Sequence, residues 1–230
     1  MAEPPSTPDP TLVREIRAVH AFYQALEPSC TLGGKLLFAS ILNDEAAQLI
    51  RAANIAGAAS LTVSASPDEL RKAQRNGVVD FLVTSLDEAL RILKNEIRKR
   101  LPVAVAIEGS PLEVGKAMLV RGVQPDLLAP AAAAIQPLCA RAAFLERGAR
   151  LVEPQPEDPA APLHIWPVPA AWNARLAALD AQLGKLLPAD ACAERRWLRL
   201  SPRYLGAAAR RLRSVACDED ASRKFVELLG

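Results

Sequence analysis

The sequence predicts an α/β protein: a parallel sheet with helices on both faces, one helix ahead of it and a helical segment behind it. Three observations carry this expectation. Between Gly34 and Ala129, short apolar runs alternate with amphipathic stretches, and strands separated by helices of about 10–15 residues join by right-handed crossovers into a parallel sheet. The runs Lys35–Ala39 and Val103–Ile107 are almost continuously apolar, as suits strands covered on both faces. Three Ser-x-x-Glu sequences, at Ser66, Ser85 and Ser110, fall where the alternation needs a helix to begin.

Taken in order, Pro4, Pro5, Pro8 and Pro10 make residues 1–10 a disordered tail. Thr11 caps a helix over 11–26, with Leu12, Ile16, Val19, Tyr23 and Leu26 at helical spacing. Glu27-Pro28 ends it. Strand one is Lys35–Ala39, followed by a helix from Asp44 to Ala56 that stops at Gly57. Strand two, Leu61–Ala65, leads into Ser66-Pro67-Asp68-Glu69, a capping box with proline at the first helical position. Strand three is Val79–Val83. The next helix opens at Ser85 and puts Leu86, Ala89, Leu90, Leu93 and Ile97 on one face. Strand four is Val103–Ile107, a third capping box opens at Ser110, and strand five is a short Asp126–Ala129.

Beyond Pro130 the pattern loosens. Leu138–Arg147 reads as helix, Ala149–Val152 and Leu163–Val168 as further strands, and the proline-rich 153–162 as a loop. From Ala170 onward the chain reads as three or four helices broken near Pro188, Pro202 and Cys217. The expected organisation is a tail at 1–10, an α/β domain with its leading helix at 11–168, and a helical segment at 169–230 packed on it.

The chain has 230 residues, half of them apolar and 23% charged. That suffices for a sizeable core and argues against wholesale disorder. A net charge of +2 is too small to suggest nucleic acid or an acidic membrane surface as partner. Cys30, Cys139, Cys192 and Cys217 form no Cys-x-x-Cys pair, so zinc and thiol-redox chemistry lack their spacing and no metal is expected. The N-terminus has neither a basic nor an apolar signal region. No apolar run approaches the roughly 20 residues that span a bilayer. The expected compartment is the cytoplasm.

Several segments occur together in one order: Val79-Asp-Phe-Leu-Val-Thr-Ser-Leu-Asp-Glu-Ala-Leu90, Leu101-Pro-Val-Ala-Val-Ala-Ile-Glu-Gly109, Leu112-Glu-Val114 and Arg121-Gly-Val-Gln-Pro-Asp-Leu-Leu128. In these, Gly34–Leu138 resembles the NAD-binding Rossmann-like domain of urocanase (urocanate hydratase). The resemblance covers under half of the chain, and nothing outside it resembles the catalytic core of that enzyme. It implies a Rossmann-like fold and, in the family, NAD binding.

The departures fall on the positions that would hold NAD. The family carries a glycine-rich turn, Gly-x-Gly-Gly-Met-Gly-Gly-Ala-Gln-Pro, after its first strand. Here the aligned stretch is Ile41-Leu-Asn-Asp-Glu-Ala-Ala-Gln-Leu-Ile50. The family's Glu-Val-Asp after strand two is replaced by Ser64-Ala-Ser66, and its Gly-Asn-Ala after strand four by Gly109-Ser110-Pro111. Its Thr-Asp-Gln-Thr-Ser-Ala-His-Asp-Pro after strand five becomes Ala129–Pro137. A pyrophosphate needs backbone N–H groups brought close by glycine, and Asp44 and Glu45 repel it. NAD is therefore not an expected cofactor, and no other cofactor is suggested.

The candidate crevice is formed by Ser40, Asn43, Asp44, Glu108, Gly109 and Ser110. One reading has Asn43 cap a helix that Asp44 and Glu45 stabilise. The other has Asp44, Glu45 and Glu108 converge as an acidic pocket for an amine or a divalent cation. His20 and His164 read as packing residues, Ser66, Ser85 and Ser110 as caps, and no catalytic residue is expected. The arginines interleaved with Trp197 and Tyr204 read as a solvated helical face rather than a nucleic-acid surface. The leading expectation is a non-catalytic, urocanase-like protein that acts as a scaffold or binds a partner or small ligand. The alternatives are a nucleotide- or NAD-dependent enzyme with a remodelled site (a urocanate hydratase-like lyase) and an accessory subunit of a larger assembly. In the last case the helix at 11–26 or the C-terminal helices would contact a second copy or another protein.

Overall fold

The computed structural model describes residues 8–26, 31–130, 138–168 and 176–229. Residues 1–7 of the tail expected at 1–10, the helix end at Glu27-Pro28, Cys30, most of the segment Ala129–Pro137 and the start of the C-terminal helices lie outside these, while Pro10 of the expected tail is already helical. The chain divides into two compact units, Phe22–Pro154 and Met1–Ala21 with Gln155–Gly230.

The unit Phe22–Pro154 is a six-stranded parallel sheet. Its strands are β1 (Leu36–Ala39), β2 (Ala59–Ser64), β3 (Phe81–Val83), β4 (Ala104–Glu108), β5 (Leu127–Leu128) and β6 (Arg150–Leu151), in the order β3-β4-β2-β1-β5-β6. The helices between them are α2 (Asp44–Ala56), α3 (Pro67–Arg75), α4 (Leu86–Lys99), α5 (Pro111–Val120) and α6 (Leu138–Glu146). All five strands expected between Lys35 and Ala129 are present and parallel. The chain steps one way along the sheet from β1 to β3 and the other way from β3 to β6. Right-handed crossovers therefore place α2 and α3 on one face and α4, α5 and α6 on the other. On the second face Leu36, Phe38, Leu61, Val63, Val105 and Ile107 pack with Leu90, Leu93, Met118 and Phe144. Phe38 and Phe144 meet edge to face, ring centroids 6.0 Å apart. Toward the first face β2 turns Ser60 and Thr62, both buried.

Two aspartates clasp strand starts in the same way. Asp80 donates its N–H to the Ala104 carbonyl at 2.8 Å and accepts the Ala104 N–H on Oδ2 at 2.8 Å. Asp126 donates to the Leu36 carbonyl at 2.9 Å, accepts the Leu36 N–H on Oδ2 at 2.9 Å and holds Lys35 Nζ on Oδ1 at 2.8 Å. Each pair fixes the register of a strand with its neighbour.

Helix ends follow the sequence with two exceptions. Thr11 does not cap the first helix: α1 (Pro10–Ala25) already includes it, and Asp9 Oδ1 accepts the Thr11 N–H at 2.9 Å. Gly57 closes α2 at φ +97°, a left-handed conformation that suits glycine. Ser85 Oγ accepts the Glu88 N–H at 3.2 Å, and Ser66 Oγ accepts the Glu69 N–H at 3.3 Å. The returning half of the Ser66 box runs through Ser64, whose Oγ accepts the Ser66 N–H at 3.0 Å and donates to the Glu69 carboxylate at 2.7 Å. Ser110 sits at the N-cap of α5, but its side chain makes no capping bond. The third expected box is therefore not formed, and Pro111 at the first helical position starts that helix by its fixed φ instead.

The other unit contains a two-stranded antiparallel sheet, β7 (Leu163–Pro167) against β8 (Leu212–Ala216). Its helices are α7 (Leu176–Leu186), α8 (Cys192–Tyr204), α9 (Ala207–Arg211) and α10 (Glu219–Leu229), and α1 (Pro10–Ala25) contributes its residues up to Ala21. Leu183, Leu187, Leu198, Val215, Cys217 and Phe225 form its core. Two expectations are corrected here. The segment after Ala170 is not purely helical, because β8 interrupts it, and Pro202 lies inside α8 rather than breaking it. The unit division falls after Pro154, and β7 finds its hydrogen-bonding partner in β8.

Candidate functional site

The candidate residues lie at the carboxyl ends of the parallel strands, where open α/β sheets bind ligands. The structure gathers them into two separate loops. Ser40 follows β1 and is half-buried; Asn43 and Asp44 are exposed at the start of α2. Glu108 ends β4 exposed, Gly109 is half-buried and Ser110 exposed. Between them stands the end of β2, because β4 and β1 each pair with β2 and not with one another. Both loops are tied to that strand: the Leu42 N–H donates to the Val63 carbonyl at 3.1 Å, and the Gly109 N–H to the Ser64 carbonyl at 3.0 Å.

Asn43, Asp44 and Glu45 each have a local structural task. Asn43 Oδ1 accepts the Ala46 N–H at 2.7 Å. Asp44 and Glu45 occupy the first turn of α2, where carboxylates favour the positive end of the helix dipole. Among the described residues no three His, Cys, Asp or Glu side chains are arranged to hold a metal ion. Asp44, Glu45 and Glu108 are thus not arranged to share a divalent cation. Sequence reasoning named Ser64 and Glu69 separately and missed their hydrogen bond, which sits at the end of β2 between the two loops. Their only signal was the pairing of a polar strand end with the Glu of the following capping box.

The strand order also locates the topological switch point. The chain reverses direction on either side of β1, between β2 and β5. The Ser40–Asp44 loop leaves β1 at that point. The Glu108–Ser110 loop leaves β4, on the far side of β2 from β1. The facing segment after β5 is described only to Pro130, where the Ala129 N–H donates to the Phe38 carbonyl at 3.1 Å and the Ala129 carbonyl accepts Arg141 Nη1 at 3.0 Å.

The remaining polar residues singled out by sequence lie in the other unit. His20 is 5% exposed, and burial lowers its pKa to about 4. His164 Nδ1 lies 2.9 Å from Ser222 Oγ, while its Nε2 is buried without a partner. In the basic stretch Trp197 is fully buried and its Nε1 donates to Ser214. Arg195 spans the carbonyls of Gly184, Leu187 and Ala189 at 3.0, 2.6 and 2.8 Å. Arg213 pairs with Asp180 at 3.3 Å, and Arg203 lies over the Tyr204 ring at 5.3 Å. Arg195 thus ties α8 to the end of α7 and Arg213 ties β8 to α7, while Arg203, Arg199, Arg210 and Arg211 are exposed. Cys192 is exposed, and burial of Cys217 pushes its thiol up to about 12; the Cys139 side chain is outside the described residues.

A parallel six-stranded sheet with a switch point beside β1 and helices on both faces defines a Rossmann-like α/β protein. The chain belongs to the urocanase Rossmann-like domain family, whose model matches residues 18–149. No described helix is long and apolar enough to cross a membrane.

Proposed function

We propose that this chain is a non-catalytic member of the urocanase Rossmann-like family, acting as a binding module for a partner or small ligand without NAD. The start of α2 carries this reading. In a dinucleotide site the pyrophosphate takes the free N–H groups and positive end of the first helix. Here Asn43 Oδ1 already accepts the Ala46 N–H, the Leu42 N–H is spent on the Val63 carbonyl, and Asp44 and Glu45 bring negative charge to the same turn. The loop after β4 supports it further: its Gly109 N–H is spent on β2, and Glu108 adds another exposed carboxylate.

Calorimetric titration of the purified chain with NAD tests the proposal, with urocanate absorbance as the assay of turnover. The expected result is no saturable binding and no turnover. Saturable micromolar binding of NAD would establish the nucleotide-dependent alternative instead.

A further inference from the structure

The unit that contains β7 and β8 carries a cleft of about 410 Å³, within the range of small-molecule sites, roughly 300–1,000 Å³. It is separate from the crevice at the strand ends and independent of the function proposed for it. Its floor is apolar, with Leu187, Ala216 and Ala221 all buried. Its rim carries Asp190, Glu194 and Asp218. None of these carboxylates is ion-paired among the described residues. Arg195, beside Glu194, is committed to three backbone carbonyls.

Helix capping explains only part of this. Asp218 Oδ1 accepts the Ala221 N–H at the start of α10, at 2.8 Å, and Glu194 lies in the first turn of α8. Neither role accounts for Asp190, for the apolar floor, or for a local concentration of negative charge in a chain of net charge +2. Cys217, 6% exposed and not in a disulfide, completes the wall; its backbone N–H donates to the Pro162 carbonyl at 3.4 Å, and its thiol is unpaired among the described residues. Its sulfur is a weak acceptor that a ligand N–H would satisfy.

The carboxylates do not converge. No three acidic, histidine or cysteine side chains among the described residues could share one metal ion. Negative charge spread along an apolar trough matches an extended organic cation, with charged groups separated by methylenes.

We propose that this cleft binds a linear polyamine, its ammonium groups on Asp190, Glu194 and Asp218 and its methylene arms along Leu187, Ala216 and Ala221. Calorimetry of the full chain with spermidine at low ionic strength is the test, with the uncharged 1,8-octanediol as control. Saturable one-to-one binding is expected for spermidine and none for the diol. Asp190→Asn with Glu194→Gln should weaken binding by about tenfold or more, the worth of charge-assisted contacts. Ala161→Leu, which fills the cleft from its half-buried edge, should abolish it. Should that variant fail to melt cooperatively, the double amide variant, which alters no buried residue, decides alone. The proposal is overturned by absence of binding, by equal binding of the diol, or by spermidine affinity that the amide variant leaves unchanged, which would mark adventitious polycation binding elsewhere.

Discussion

The imidazole of His20 stands edge-on to the indole of Trp197, with ring centroids 4.7 Å apart and planes at 84°. The indole is held in turn by Ser214, whose carbonyl and Oγ each accept from Nε1 at 3.1 Å. His20 is thereby packed as a neutral aromatic rather than displayed as an acid or base.

The first prediction follows from that packing. Burial lowers the His20 pKa from 6.5 to about 4; Glu157 opposes the shift and Arg17 adds to it. The unfolded chain takes up a proton as pH falls through 6.5, while the folded chain resists until about 4. The stabilising contribution is therefore complete above 6.5 and is lost as pH falls through that window, on the order of 3 kcal/mol in all. Asp68 and Asp87, held low by Arg71 and Arg121, lose their contributions only at lower pH, below the ordinary carboxylate range. Urea titrations between pH 7.5 and 4.5 should show wild type losing stability more steeply than His20→Phe. Parallel slopes would assign the pH dependence to other groups.

The two loops of the crevice make a matched pair of cap substitutions. Asn43 caps α2 with a 2.7 Å bond; Ser110 occupies the equivalent place on α5 without one. Asn43→Ala should cost about 1 kcal/mol, and Ser110→Ala only a few tenths at most. Chemical denaturation of both variants measures the contrast. Equal costs would mean that the Ser110 hydroxyl has a capping role in solution.

Much of the parallel sheet could be read from the chain because its signals are local. The apolar runs of β1, β2 and β4, and the caps at Asn43, Ser66 and Ser85, each lie within a few residues of the element they specify. Strand order has no such signal. Nothing in Val103–Ile107 says that β4 inserts between β2 and β3, and that insertion is what separates Glu108–Ser110 from Asn43 and Asp44. β8 was hidden for a related reason. Leu212–Ala216 follows a run of arginines that reads as a helical face, and its strand identity comes from pairing with β7, about fifty residues earlier. Ser110 shows the limit of motif reading: the sequence pattern of a capping box was present and the bond was not.

The paired aspartate clasps give a third prediction. Removing Asp126 Oδ2 leaves the Leu36 N–H unbonded at the start of the central strand β1. It also releases Lys35, which is half-exposed and contributes little. Asp126→Ala should therefore destabilise by about 1.5–3 kcal/mol, the range for a hydrogen bond to a charged acceptor. Asp80→Ala, which frees the Ala104 N–H, should fall in the same range although β3 is an edge strand. Hydrogen exchange provides the residue-level readout: the Leu36 and Ala104 amides should each lose protection in the corresponding variant and keep it in the other.

The last prediction runs in the opposite direction. Thr62 lies in the middle of β2 with no exposed surface, and its Oγ1 has no hydrogen-bond partner. Ser60 Oγ and Asn54 Oδ1 are also buried without a partner, so no one of them relieves another. A buried hydroxyl without a partner costs about 1–3 kcal/mol. Valine keeps the β-branched shape that suits a strand and replaces the hydroxyl with a methyl group. Thr62→Val should therefore stabilise the protein, by about 1 kcal/mol, seen as a higher denaturation midpoint with an unchanged slope. Loss of stability in Thr62→Val would show that the hydroxyl is satisfied in solution, by a buried water bridging Thr62, Ser60 and Asn54. In that case Ser60→Ala should prove destabilising as well.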